Sequence, residues 1–204
     1  PIVKAFLTDN AWLATSHCMQ VYGGHGYIAE SGMEQFVRDA RINMIYEGTN
    51  TIQSLDLLGR KVLGDGGRKI KALGKQLQGF IEEHGTREDM QEFINPLAEL
   101  ADKLQKLTAE IGMKAMRDPE EVGAAAVDYL RICGHFVFAY LWARMALVAL
   151  DKQATPEGAA DPFYAAKLAT ARFYFAKLLP ETAGLIRSCR AGAAPLFAIE
   201  ESML

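Results

Sequence analysis

The sequence has few cysteines, no run of basic residues and none of the alternation typical of β-strands. Its 204 residues include only three cysteines, Cys18, Cys133 and Cys189, which lie far apart. An odd number of widely spaced cysteines argues against a disulfide framework and favours a reducing compartment. The net charge of −3, without a basic cluster, argues against a nucleic-acid or anionic-membrane partner.

A long uninterrupted apolar span is also missing. The most apolar stretch, residues 132–150, is interrupted by His135 and Arg144, so it predicts a buried helix rather than a membrane-spanning one. Half of the residues are hydrophobic and 23% are charged, as in ordinary globular proteins. Helical spacing of the apolar residues along the chain predicts an all-α fold.

Two segments are predicted on either side of a glycine-rich link at residues 64–67. The first segment, residues 1–64, contains a helix that ends at paired glycines, a short helix near residues 33–43 and a helix capped by Thr49 or Asn50. Apolar residues at helical spacing predict one buried face for this last helix, formed by Ile52, Leu55, Leu58 and Val62.

The second segment, residues 65–204, is predicted to be an antiparallel helical bundle that closes its own core. Helices are expected to start at or after Pro96, Pro119 and Pro162, since proline fits the first helical turn. The aromatic residues of this segment fall on helices and are interpreted as core packing. Its two histidines have no ligand-type residues near them in the sequence.

A cluster of glycines follows the first helix. Gly23, Gly24 and Gly26 would let the backbone approach a ligand such as a phosphate, but they equally fit a helix cap and turn. A helix precedes them where a dinucleotide-binding fingerprint requires a strand. The nearby histidines and Cys18 match no usual metal-ligand spacing, so no metal site is predicted.

A second motif, Tyr46-Glu47-Gly48-Thr49, places a carboxylate beside aromatic and apolar residues. Burial next to Ile45 and Tyr46 would disfavour the charged form of Glu47 and suit it to general-base chemistry. The alternative is a partly exposed glutamate in a loop. The motif alone favours that alternative.

Together the two motifs resemble the C-terminal helical domain of the flavin-dependent acyl-CoA dehydrogenases. Residues 1–64 resemble the last helices of that domain. Residues 65–204 resemble the helical extension of a long bacterial subgroup, the 3-methylmercaptopropionyl-CoA dehydrogenase-like enzymes, which implies a cytoplasmic bacterial protein. The matching pieces, in order, are Gln20-x-x-Gly23-Gly24-x-Gly26-Tyr27, Arg38-Asp39-Ala40-Arg41 and Ile45-Tyr46-Glu47-Gly48-Thr49.

The resemblance implies the α,β-dehydrogenation of an acyl-CoA thioester. Glu47 matches the base that removes the α-proton, and its backbone N–H matches a donor to the thioester oxygen. Tyr46 matches a residue that lines the acyl pocket, and Gly48 one that lets the substrate pass close to the backbone. Thr51 stands where many members carry Gln or Glu, and no role is assigned to it.

FAD is the implied cofactor. Thr49 matches a flavin contact, whereas Gln20, Gly23 and Gly24 match residues that hold the ADP part of the FAD belonging to a neighbouring subunit. A site completed across an interface implies a homodimer or a homotetramer. The family also implies an electron-transferring flavoprotein as the electron acceptor.

We expect the chain to be a C-terminal fragment that is inactive alone, because it begins at Pro1 and lacks the family's other two domains. One alternative is a family relative with altered chemistry, such as a nitroalkane oxidase-like protein. Glu47 within an intact motif favours the dehydrogenase. Another alternative is a non-catalytic helical oligomerisation or interaction module, in which Gly24 and Glu47 would be replaceable.

Overall fold

The computed structural model describes residues 1–199 and 201–203, and across those residues it contains helices and no strand. The predicted all-α fold is therefore confirmed. Within the described chain the α-helices are α1 (Ile2–Val21), α2 (Met33–Ile42), α3 (Asn50–Leu55), α4 (Arg68–His84), α5 (Gln91–Ala115), α6 (Glu120–Gln153), α7 (Pro156–Ala160), α8 (Pro162–Phe173) and α9 (Glu181–Ala191).

Other helical types occupy several of the junctions. π-Helical turns continue α3 through Asp56–Leu63 and α8 through Tyr174–Leu178. Short 3₁₀ turns are formed by Gly23–Gly26, Ala29–Ser31, Glu88–Met90, Ala194–Phe197 and Glu201–Met203.

The fold is organised around α6, which packs against α1, α3, α5, α8 and α9. The helix has 34 residues and is therefore about 51 Å long. Small side chains along it let the neighbouring helices approach closely, and the buried alanines are Ala125, Ala126, Ala139, Ala143, Ala146 and Ala149. By length and hydropathy α6 could cross a membrane, but 56% of its most apolar window is buried inside the bundle. A helix buried to this extent fits the core of the helical bundle.

One hydrophobic core extends across both predicted segments. Phe6 of α1, with 1% of its surface exposed, and Leu58 and Val62 of the π-turn belong to the same buried cluster as the apolar faces of α5 and α6. The Phe6 ring meets Phe138 edge-on, with 4.9 Å between the ring centroids. The core of the second segment is thus completed by residues of the first.

Local start signals placed two helices correctly. Pro119 stands just before α6, and Asp161 caps α8 by accepting a 2.9 Å hydrogen bond from the Phe163 N–H. By contrast, α5 starts at Gln91, so Pro96 lies inside it. Pro96 is the sixth residue of α5, beyond the first turn, so its missing N–H leaves the Glu92 carbonyl without its helical hydrogen bond and its ring crowds that carbonyl.

The predicted face of α3 is only partly correct. Leu58 and Val62 are buried as expected, but Ile52 and Leu55 are exposed. The π-helical turn that begins at Asp56 changes the angular spacing of side chains, so residues spaced for one α-helical face no longer share a face.

Candidate functional site

The turn between α2 and α3 carries the Tyr46-Glu47-Gly48-Thr49 motif. Glu47 has a φ of 54° and Gly48 a φ of 80°, so two consecutive residues lie in the left-handed region. Glycine adopts this region freely, whereas a non-glycine residue there is uncommon and strained. Thr49 ends the turn because its Oγ1 accepts a 3.3 Å hydrogen bond from the Ile52 N–H, which confirms it as the cap of α3.

This motif lies at the surface of the described chain. Glu47, Gly48 and Thr49 are exposed, and 45% of Tyr46 is exposed. The Tyr46 hydroxyl donates a 2.6 Å hydrogen bond to Asn43 Oδ1, which braces the start of the turn. The burial that would suit Glu47 to general-base chemistry is therefore not supplied by the described residues and would have to come from another surface.

Two main-chain amides of the turn are also available. Within residues 1–199 and 201–203, no group accepts a hydrogen bond from the N–H of Glu47 or of Gly48. Successive amides in a turn with left-handed residues form a concave donor site for an anion or a polarised carbonyl oxygen. The turn thus combines a carboxylate with adjacent backbone donors.

Asn50, which the sequence indicated only as a possible helix cap, anchors this turn to α1. Its Nδ2 donates to Asp9 Oδ1 at 2.6 Å, to Thr8 Oγ1 at 2.9 Å and to the Ala5 carbonyl at 3.2 Å. Its Oδ1 accepts a 2.7 Å hydrogen bond from Lys4 Nζ. All four partners are more than 40 residues away in the chain, so no local pattern could have indicated these contacts.

The three glycines of the turn after α1 differ in whether the structure requires glycine at their position. Gly23 needs glycine for its φ of 59°, and a Cβ on Gly26 would collide with the Met19 carbonyl. Gly24 has neither requirement, since a Cβ there would meet nothing within 4 Å. Gln20 is exposed beside this turn. The helix cap therefore explains Gly23 and Gly26 but leaves Gly24 open to contact from outside the chain.

The two motifs lie toward opposite ends of α1. Asn50 holds the Glu47 turn against residues 4–9, whereas Gln20 and the glycine turn follow the other end of the helix. Eleven residues separate Asp9 from Gln20, which corresponds to about 16 Å along the helix axis. The structure therefore does not bring the two sets of predicted site residues together within one chain.

A polar cluster around the buried His135 lies in the second segment, where no local sequence pattern indicated it. His135 Nδ1 lies 3.1 Å from Tyr174 Oη, and His135 Nε2 lies 3.2 Å from Glu181 Oε2. Arg131 binds the same carboxylate and holds the pKa of Glu181 below its usual value, while burial lowers the pKa of His135. The cluster joins α6, the π-helical turn after α8, and α9.

The cysteines and histidines form no metal site in the described part of the chain, where no three potential ligands are grouped. Cys18 is exposed, and Cys133 and Cys189 are buried as free thiols. Burial raises the pKa of Cys133 and of Cys189 to about 12, so neither is a reactive thiolate near neutral pH.

The first segment has many exposed apolar side chains around both motifs. Val21 and Tyr27 flank the glycine turn, with exposed fractions of 84% and 75%, and Ile45 precedes the Glu47 turn. Large exposed apolar patches mark surfaces that meet a partner or a ligand. Further exposed members of this surface are Val3, Leu7, Tyr22, Ile28, Phe36, Ile42 and Ile52.

Comparison with known proteins identifies relatives of both segments. Residues 73–200 match the family model described as "Acetyl-CoA dehydrogenase C-terminal like", and residues 1–63 match "Acyl-CoA dehydrogenase, C-terminal domain". The 3-methylmercaptopropionyl-CoA dehydrogenase of Ruegeria pomeroyi is 37% identical over 89% of this chain and 31% of its own length. A broad-specificity linear acyl-CoA dehydrogenase of Mycobacterium tuberculosis is 31% identical over 88% of this chain and 31% of its own length.

A butyryl-CoA dehydrogenase of Syntrophomonas wolfei is likewise 31% identical over 93% of the chain and 31% of its own length. The chain thus spans about a third of the length of these curated relatives. The two family models together account for both helical segments described above. The chain belongs to the acyl-CoA dehydrogenase family.

Proposed function

We propose that this chain forms the C-terminal part of a FAD-dependent acyl-CoA dehydrogenase, which introduces a double bond between Cα and Cβ of an acyl-CoA thioester. The observation that carries the proposal is the exposed turn at Tyr46–Thr49. It holds a carboxylate and two available backbone donors next to an exposed apolar surface. These are the groups that proton abstraction beside a thioester carbonyl requires.

In this proposal Glu47 is the catalytic base. Its carboxylate accepts the pro-R α-proton, and the electrons of that C–H bond form the new Cα=Cβ double bond. When bound, FAD supplies the acceptor for the hydride that leaves the β-carbon. The Glu47 N–H donates to the thioester oxygen and stabilises the negative charge that develops there.

The residues beside Glu47 shape the substrate site. The Tyr46 ring lines the acyl pocket, and Gly48 lets the thioester lie close to the backbone because it has no side chain. The exposed apolar side chains around the turn support the view that a further protein surface closes over it. Closure would exclude water from the carboxylate and strengthen its basicity toward a weak carbon acid.

The residues present fit an FAD site shared between subunits. Gly24 is unconstrained by its own chain and exposed, so a pyrophosphate group can lie against its backbone. Gln20 and Gly23 would hold the same ADP part, whereas Thr49 would contact the flavin. The separation of about 16 Å along α1 between Asp9, which holds the Glu47 turn, and Gln20 supports the use of the two motifs for different FAD molecules.

This arrangement requires an oligomer, which we propose to be a homodimer or a homotetramer. The proposed enzyme is cytoplasmic, binds no nucleic acid and transfers its electrons to an electron-transferring flavoprotein. The described chain alone should be inactive, because it supplies neither an enclosed pocket for Glu47 nor a complete FAD site.

The proposed role of Glu47 is tested by Glu47→Gln in the complete protein. The amide keeps the size of the side chain and the backbone N–H but cannot accept the α-proton. We expect acyl-CoA binding to persist while anaerobic flavin reduction slows by at least about 10²–10⁴-fold. Glu30→Gln, at an exposed glutamate in the turn before α2, is the matched control and should leave the rate unchanged. Reduction of Glu47→Gln at the wild-type rate would refute the assignment.

A further inference from the structure

The base of the Glu47 turn is closed by Asn50. The Asn50 N–H donates a 3.2 Å hydrogen bond to the Met44 carbonyl, so residues 44–50 form a closed turn with Glu47 at its middle. Asn50 is also the first residue of α3. Any movement of Asn50 therefore moves both the turn and the start of the helix that follows it.

The Asn50 side chain fixes the base of the turn to α1 through hydrogen bonds with four residues. Its amide donates to Asp9, Thr8 and the Ala5 carbonyl, and its oxygen accepts from Lys4. Two of these partners carry charge, and hydrogen bonds with a charged partner are roughly twice as strong as neutral ones. Asn50 is half-buried, which limits competition from water.

Helix capping does not account for this set of contacts. Thr49 already caps α3 through the Ile52 N–H, and the partners of the Asn50 side chain all lie on α1. A left-handed non-glycine residue such as Glu47 persists only where the surroundings hold it in place. The contacts of Asn50 supply that restraint three residues away.

We infer that Asn50 is a positioning residue, which holds the carboxylate and amides of the Glu47 turn in place by fixing the turn to α1. This inference deepens the proposed function and rests on it for its catalytic consequence. The inference has a structural part, which is that the Asn50 side chain restrains the turn. This part can be tested in the 204-residue chain and does not depend on the proposed function.

The structural half is tested by amide hydrogen exchange in the 204-residue chain. Asn50→Ala should accelerate exchange of the backbone amides at positions 50 and 52 by about 10-fold or more, because the anchor of the turn is lost. Asn10→Ala is the matched control. Asn10 lies on α1, next to the partners of Asn50, but its side chain donates only to the Phe6 carbonyl one turn earlier in the same helix. Equal exchange in Asn50→Ala and wild type would overturn the inference.

Exchanging the side chains of positions 9 and 50 distinguishes loss of this one contact from general misfolding of the variant. Asn50→Asp replaces the donating amide by a carboxylate that faces Asp9 Oδ1 and the Ala5 carbonyl, so it should loosen the turn. Adding Asp9→Asn restores a donor opposite that carboxylate, while Lys4 can still donate to it. The double variant should recover at least half of the lost exchange protection. Absence of any recovery would show that pairing between positions 9 and 50 does not hold the turn.

The catalytic half is tested in the complete protein. A misplacement of about 1 Å costs about 10²-fold in rate, so Asn50→Ala should lower kcat to that extent with little change in KM. Asn50→Asp with Asp9→Asn should restore most of kcat. If Glu47→Gln retains full activity, the proposed function fails while the exchange result still decides the anchor. If Glu47→Gln is inactive but Asn50→Ala keeps kcat, the positioning role is overturned.

Discussion

Gly134 of α6 is predicted to be a position where alanine destabilises the chain, although alanine is the better helix former. A Cβ on Gly134 would overlap the ring of Phe6, with Phe6 Cδ1 at 2.7 Å. Carbon atoms in contact are normally about 3.5–4.0 Å apart, and Phe6 Cγ and Cδ2 would lie still closer than Cδ1, so the ring or α1 would have to move by more than about 1 Å. Phe6 is buried and packs edge-on against His135 and Phe138, which leaves it little room to move.

The magnitude follows from two opposing effects. Overpacking a core costs about 1–3 kcal/mol, and a clash with three ring atoms belongs at the upper end. Replacement of glycine inside a helix returns about 1 kcal/mol. The net effect of Gly134→Ala is therefore a loss of about 2 kcal/mol, which lowers the unfolding temperature by about 4–8 °C in a chain of this size.

Thermal and urea unfolding followed by circular dichroism measure this change. Gly123→Ala is the matched control on the same helix, because a Cβ there meets nothing within 4 Å, and it should stabilise the chain by about 1 kcal/mol. Phe6→Leu combined with Gly134→Ala should be less destabilising than the sum of the two changes, since the smaller side chain relieves the clash. If Gly134→Ala stabilises the chain as Gly123→Ala does, α1 does not pack on α6 through Phe6.

Three further predictions concern the cofactor, the two segments and pH. Gly24→Leu should leave the unfolding temperature of this chain unchanged, because nothing surrounds its Cβ, but should make the complete protein lose FAD on dilution. If the Gly24→Leu protein binds FAD with the wild-type affinity, Gly24 does not contact FAD and serves only in the turn. Residues 65–204 expressed alone should bind a hydrophobic dye, since they lose the buried side chains of the first segment, and a dye-free, sharply unfolding product would contradict the shared core. Because Arg131 lowers the pKa of Glu181 in the folded state, this carboxylate contributes stability above its unfolded pKa of about 4.3. That contribution should decline as the pH falls below this value and should be lost as the pH passes through the lowered folded pKa of Glu181, so Glu181→Gln should reduce the loss in the free energy of unfolding between about pH 6 and about pH 3.

Local chemistry predicted the starts of α6 and α8 but not that of α5. The Asp161-Pro162 pair acts through neighbouring atoms, because the carboxylate caps the helix that the proline begins. Thr49 was predicted as a cap for the same reason. By contrast, the predicted face of α3 was wrong at Ile52 and Leu55, because the π-helical turn that follows, which packs on α6, changes the angular spacing that the prediction assumed.

Contacts between distant parts of the chain could not be predicted. The anchor of Asn50 on α1 and the pairing of His135 with Glu181 each join residues more than 40 positions apart. The spacing of hydrophobic residues shows which face of a helix is buried, but it does not show which other helix packs against that face. For Glu47, the motif pointed to a carboxylate suited to general-base chemistry, but it could not show that the side chain is exposed in the described chain.

The shared core also determines how damage in one segment would affect the other. Because α1 and the turn after α3 pack on α6 in one buried cluster, the Glu47 turn and the helical extension should unfold as a single cooperative unit. A destabilising substitution in α9 would then reduce the number of folded molecules without changing the Glu47 turn in those that stay folded, since the unfolded fraction is removed by proteolysis in the cell. Changes in the second segment are therefore expected to lower the amount of folded protein that carries an intact Glu47 turn.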